Sequence, residues 1–185
     1  MKTILVIGAT GLIGKAIAKQ LRTDGYHVRI LTRNKEKAAT LFHKEFEITE
    51  GDVLKSDTLI EAFAGIQAVY INLPDKIAPA TLPGILELCK KNNIEQIAYT
   101  SGCTVRKENA VHPMIKAHYE AENLIINSGL AYSIFRPTMI LDTLPMYANK
   151  GKPFIVGNQP HKWSWVYTGD IAKMVSKALG TEKAK

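Results

Sequence analysis

The chain has 185 residues, 46% of them hydrophobic and 22% charged, which suits one domain with a core of its own and excludes disorder. Its net charge is +7, but the lysines are scattered with no run of five or six, so the charge alone reads as a solvated basic surface; a nucleic-acid-associated role rests on nothing else. Two cysteines, Cys89 and Cys103, cannot form a disulfide framework or a four-ligand zinc site, and the opening apolar run Ile4 to Ile7 is too short for a signal peptide or membrane span. A reducing, cytoplasmic setting away from membranes is expected.

The elements alternate. Thr3 to Ile7 is a β-branched apolar run ending at Gly8, as for a strand buried on both faces. Leu12, Ile13, Ala16, Ile17 and Leu21 recur at helical spacing over Leu12 to Thr23, and Gly25 closes that helix. Val28 to Thr32 is a second strand, and Asn34 caps a short helix through Phe42. Phe46 to Thr49 is a third strand, and Ser56 caps a helix through Ala64. Strands at Ala68 to Asn72, Gln96 to Thr100 and Tyr132 to Arg136 alternate with helices at Pro79 to Lys91 and Ile115 to Asn127.

Parallel strands need crossover connections, and helical crossovers cover both faces of the sheet. The pattern therefore predicts a doubly wound α/β fold. After Pro137 the prolines and glycines break the chain into short pieces, with small strands expected at Phe154 to Val156 and Trp163 to Val166 and a last helix from Asp170 to Leu179. The predicted organisation is a nucleotide-binding core over residues 1–138 and a small substrate-side segment of the same domain over 139–185, forming a partial lid on the carboxyl edge of the sheet.

Between the first strand and the first helix stands Gly8-Ala9-Thr10-Gly11-Leu12-Ile13-Gly14. Gly8 permits the tight turn off the strand, Gly11 lets backbone approach a diphosphate, and Gly14 lets helix and strand pack closely. The helix amino terminus adds free N–H groups for the phosphates, so a dinucleotide is the expected ligand. The second strand ends Leu31-Thr32-Arg33-Asn34, with no ribose-reading acid until Glu36. Arg33 is placed to hold a 2′-phosphate with two N–H groups, and Lys35 or Lys37 can add charge, so NADP(H) is favoured over NAD(H). Asp52 is either an adenine contact, through its side chain or the backbone of Val53, or simply a turn-former after Gly51.

These residues, with Tyr99-Thr100-Ser101 and the spaced run Lys116, Glu120, Ser128-Gly129-Leu130 and Arg136-Pro137, resemble the NmrA-like, NAD(P)H-binding branch of the short-chain dehydrogenase/reductase superfamily. The resemblance covers about residues 1 to 180. It implies a Rossmann-type fold with NADP(H) along the carboxyl edge of the sheet. It also implies cofactor contacts at Gly8, Thr10, Gly11, Leu12, Ile13, Gly14, Arg33 and Asp52. Asn72, Leu73 and Pro74 would pass the ribose nearest the nicotinamide, with Thr100 and Ser101 beside the nicotinamide half. Lys116 would bond the nicotinamide ribose, and Pro137 and Thr138 would meet the carboxamide.

The chain departs from the superfamily's Tyr-x-x-x-Lys: four residues before Lys116 stands His112, which either replaces the tyrosine in proton transfer or is a loop residue before Pro113. The family serine falls near Gly102, with Ser101 adjacent. The candidate catalytic set is thus Lys116, His112 and Ser101, and Tyr119 reads as packing. Met139, Met146, Tyr147, Trp163 and Trp165 suit either a flat-acceptor pocket or core packing. Cys103 is either a reactive thiol or a semi-buried cysteine. His112, His118 and His161 lack metal-ligand spacing, so no metal is expected, and no Gly-x-Ser-x-Gly elbow suggests a hydrolase. Two functions follow: an NADPH-dependent oxidoreductase for a small carbonyl, quinone or similar acceptor, or a non-catalytic NADP(H) sensor that answers to a regulatory protein partner.

Overall fold

In a computed structural model the described residues are 1–149, 152–153, 162 and 164–181, with the backbone alone for 147–149 and 152–153. The chain runs β1 (Thr3–Ile7), α1 (Leu12–Thr23), β2 (His27–Thr32), α2 (Lys35–Leu41) and β3 (Glu47–Glu50). A 3₁₀ turn (Ser56–Leu59) leads into α3 (Ile60–Phe63), then come β4 (Ala68–Ile71), α4 (Ala78–Lys91), β5 (Gln96–Thr100), α5 (Pro113–Ile126) and β6 (Tyr132–Phe135). The rest holds β7 (Met139–Ile140), a 3₁₀ segment (Leu141–Tyr147), β8 (Ala148–Asn149), β9 (Lys152–Pro153), β10 (Trp165–Val166) and α6 (Thr168–Gly180).

Strands β1 to β6 form one parallel sheet in the order β3-β2-β1-β4-β5-β6. This is the doubly wound order of the Rossmann fold, whose strand order reverses between β1 and β4 and leaves a crevice at their carboxyl ends. Strand faces alternate, so each strand feeds two cores. Leu5, Ile7, Val69, Ile71 and Tyr99 pack under α3, α4 and α5. Ile4, Val6, Ile30, Tyr70 and Ala98 pack under α1, α2 and α6.

Helix α6 packs in the core: Ile171, Ala172, Val175 and Leu179 are buried with Ile17, Ala18 and Leu21 of α1. Burial at roughly 1.5–3 kcal/mol per large apolar side chain makes α6 part of the fold's foundation. It also begins at Thr168 rather than Asp170, because the Asp142 carboxylate accepts the Thr168 backbone N–H (2.9 Å) and hydroxyl (2.8 Å). Ser56 opens a 3₁₀ turn and makes no capping bond; Thr58 does the local work instead, its hydroxyl accepting the Asp52 N–H at 2.9 Å. The strand expected at 154–156, His161, Trp163 and the Tyr147 side chain lie outside the described residues.

After β6, Arg136 reaches back to α5, donating from Nε to Glu122 Oε1 at 2.9 Å and from its terminal nitrogen to the other carboxylate oxygen. Glu122 is 2% exposed and Arg136 48%. Arg136→Ala strands that carboxylate. A fully buried pair broken this way costs about 3–5 kcal/mol, and solvent at Arg136 reduces this to about 2 kcal/mol. Thermal melts are expected to show Tm falling by roughly 4–8 °C; an unchanged Tm would mean the carboxylate reaches water on its own.

Candidate nucleotide-binding site

The carboxyl ends of β1 to β4 open into one cleft of about 500 Å³. Gly8, Thr10 and Gly11 form one wall. The loop after β2 brings Arg33 and Asn34, and the first turn of α2 brings Lys37. Asp52, Val53 and Leu54 follow β3, and Asn72, Leu73 and Pro74 follow β4.

The glycine loop is shaped by backbone contacts. Gly8 has φ +86°, and a Cβ there would lie 2.0 Å from the Asn72 carbonyl oxygen. A Cβ on Gly14 would lie 2.2 Å from the Gly8 carbonyl oxygen. The two glycines therefore bring β1, the first turn of α1 and the end of β4 together more closely than any side chain permits. Helix α1 starts after Gly11 with no side-chain cap and no acid in its first turn. Its first N–H groups and partial positive charge face the cleft wall, the arrangement a diphosphate needs.

At the far side, Asn34 caps α2 by accepting the Lys37 N–H at 2.7 Å, which bears out the cap read from the sequence and turns the basic residue at 37 onto the cleft. Among the described residues neither Arg33 nor Lys37 has a side-chain hydrogen bond or ion pair. Asp52 forms the turn expected as one of its two roles. Its Oδ1 accepts the Leu54 N–H at 3.1 Å in a turn, and it lines the cleft. The residues present therefore fit a dinucleotide: free amides for phosphates, free cations for an added phosphate, and an apolar wall from Leu31, Val53, Leu54 and Ile77 for a base.

The remaining sequence candidates do not line this cleft. Gly14 acts beneath it; Leu12 is 40% exposed and Ile13 packs on the α1 core. The Thr100 hydroxyl is buried against the Tyr70 hydroxyl at 2.7 Å. Ser101 Oγ is buried with no hydrogen-bond partner among the described residues. The Pro137 carbonyl accepts the Cys103 N–H at 3.0 Å, and Thr138 is exposed. His112 is exposed and stands at the N-cap of α5 without a side-chain bond. Lys116, 64% exposed, has its Nζ 3.9 Å from Glu120. Cys103 is exposed rather than semi-buried. Met146 is exposed, which excludes core packing there. The sequence reading missed Leu31, Leu54 and Ile77 as cleft wall; each ends or follows a strand on the carboxyl side, a position that carries no composition signal.

It also missed a polar pair beneath α5. The buried Tyr99 hydroxyl and His118 Nδ1 are 3.0 Å apart. Burial holds the His118 imidazole below its ordinary pKa, with Asp75 and Glu122 acting the other way.

A family model described as NAD(P)H-binding matches residues 8–182. The chain belongs to the NAD(P)H-binding family. The match bears out the resemblance drawn from the glycine loop and the later motifs. The chain is 32% identical over 143 residues to the photosystem II assembly factor Ycf39 of Cyanophora paradoxa, covering 72% of this chain and 44% of that protein. It is 25% identical to the NAD(P)H azoreductase of Xenophilus azovorans, covering 95% of this chain and 63% of the other. It thus spans roughly half to two thirds of the length of these relatives. In fold it resembles an NADPH-dependent quinone oxidoreductase from Escherichia coli solved with NADPH, with TM-score 0.81, 20% identity, and coverage of 97% of this chain and 65% of the other. Among the described residues no helix is long and apolar enough to cross a membrane.

Proposed function

We propose that the protein is an NADPH-dependent oxidoreductase that reduces a small carbonyl, quinone or similar acceptor. The observation that carries this reading is the pair of unpartnered cations, Arg33 and Lys37, on the cleft wall where an NAD-preferring site would place a ribose-binding acid. The likeness to proteins named as an azoreductase and a quinone oxidoreductase supports the reaction class.

A bound nicotinamide would supply the hydride. The chain's part is to bind and orient. The amides after Gly11 and the close packing at Gly8 hold the diphosphate, Arg33 and Lys37 hold a 2′-phosphate, and Lys116, freed from Glu120, steadies the nicotinamide ribose. Ser101 offers a hydroxyl beside the end of β5.

The second reading is an NADP(H) sensor for a protein partner. It is favoured by the exposed His112, which makes no side-chain cap bond, and by the pairing of Lys116 with Glu120, which leave no assembled acid among the described residues. The likeness to photosystem II assembly factors also supports it. Following nicotinamide absorbance with NADPH and a panel of quinones, dyes and aldehydes separates the two. Turnover is expected, with Lys116→Ala lowering it at least tenfold; tight NADPH binding with no turnover on any acceptor would establish the sensor.

A further inference from the structure

We propose that Thr58 is a positioning residue for nucleotide binding: its hydroxyl sets the loop after β3 so that Asp52 and Val53 read the base of the nucleotide. The proposal rests on the reading of the cleft as a dinucleotide site.

Both ends of this loop are fixed by the fold. At its start the Gly51 N–H donates to the Thr32 carbonyl oxygen at the end of β2, at 2.9 Å. A Cβ on Gly51 would lie 2.8 Å from the Thr58 carbonyl oxygen and 2.9 Å from Leu31 Cδ1, so the main chain at Thr58 is pressed against the end of β3. At the far end Leu59 is buried in the same core as Leu31. Residues 54–58 are exposed, so hydrogen bonds rather than packing shape the span between the two anchors.

The Thr58 hydroxyl makes the side-chain bonds that cross this span. It accepts the Asp52 N–H at 2.9 Å. Its one proton goes to the Lys55 carbonyl oxygen at 2.7 Å, with the Asp52 carbonyl oxygen at 3.2 Å. The hydroxyl therefore touches both peptide groups that flank Asp52, and the second of these carries the Val53 N–H. Of the remaining polar groups, the Lys55 N–H donates to the Asp52 carbonyl oxygen at 2.8 Å, and Asp52 Oδ1 accepts the Leu54 N–H at 3.1 Å.

Two groups on cleft-lining residues are left over: the Val53 N–H and Asp52 Oδ2 have no hydrogen bond among the described residues. A donor beside an acceptor complements the Watson–Crick edge of adenine, which offers N1 as acceptor beside the N6–H donor. Hypoxanthine presents the reverse, a carbonyl oxygen beside an N1–H. Thr58 itself does not line the cleft, so it acts through these two groups. Without its hydroxyl the Asp52 N–H turns to water, and the peptide that carries the Val53 N–H loses a contact that sets its angle.

The test is calorimetric titration of the full chain with NADP+ and with its hypoxanthine analogue, nicotinamide hypoxanthine dinucleotide phosphate. The proteins are the wild type, Thr58→Ser, Thr58→Val and Thr58→Ala, the last covering the case in which valine disturbs the turn. The wild type is expected to prefer NADP+ by at least about tenfold. Thr58→Val and Thr58→Ala should weaken NADP+ by about fivefold, the equivalent of one neutral hydrogen bond, and the analogue by less than about twofold. Thr58→Ser keeps the hydroxyl and should retain the preference. A general loosening of the fold would instead weaken both nucleotides alike. Equal weakening of the two, unchanged NADP+ binding in the valine and alanine variants, no rescue by serine, or no preference in the wild type would overturn the role of Thr58 while leaving the site intact. Absence of NADP+ binding to the wild type would instead overturn the reading of the cleft, and this role with it.

Discussion

Gly8→Ala is expected to abolish nucleotide binding and to lower Tm by roughly 10 °C. Two costs add. The backbone at φ +86° suits glycine, and an L side chain there costs about 1–2 kcal/mol. The new methyl would also lie 2.0 Å from a carbonyl oxygen of the main chain at Asn72, which cannot rotate away as a side chain would. Forcing β1 and the end of β4 apart adds about 1–3 kcal/mol, for a total near 3–4 kcal/mol. The same movement opens the crevice at the switch point, so binding falls with stability. Gly14→Ala sharpens the argument. In an ordinary helix interior that change stabilises by about 1 kcal/mol. Here the methyl would meet the Gly8 carbonyl oxygen at 2.2 Å, and the sign reverses. Circular dichroism melts and calorimetry with NADPH check both variants. A wild-type Tm and affinity in Gly8→Ala would remove the close-packed loop as the basis of the site.

Arg33→Ala is expected to weaken NADPH binding by about 10- to 100-fold and NADH binding by less than about twofold. The two cofactors differ only in the 2′-phosphate, so the difference isolates the group Arg33 is argued to hold. A charge-assisted hydrogen bond contributes about 1.5–3 kcal/mol, which sets the range. Lys37, on the same wall, keeps part of the attraction, so Arg33→Ala with Lys37→Ala should lose more than either change alone. Binding isotherms for both cofactors at fixed ionic strength provide the measurement, because salt screens exposed cations. Equal losses for NADPH and NADH would defeat the 2′-phosphate assignment and reopen the choice of cofactor.

These two variants also mark where sequence reading reached and where it stopped. The glycine spacing, the arginine after β2 and the asparagine at the start of α2 could be read directly, because each acts through local backbone geometry or a terminal position. The half of the site assigned from the family motif could not. Lys116, His112 and Ser101 were placed by spacing from the family motif, and spacing says nothing about which way a side chain turns. In the structure Lys116 faces Glu120, and Ser101 is enclosed beside β5.

By itself the sequence determined the order of strands and helices, the parallel sheet they imply, and the loop that opens the first helix. Those features follow from residue periodicity and from backbone angles that few residues adopt, so they are written locally. Only tertiary structure decided that α6 belongs to the core beside α1, that Asp142 fixes its start from 26 residues away, and that Tyr99 meets His118 beneath α5. Each joins residues far apart in the chain. Apolar periodicity shows that a helix has a face to bury but not which neighbour buries it, and a polar residue becomes a cap or a partner only once the packed chain brings an unsatisfied group within reach.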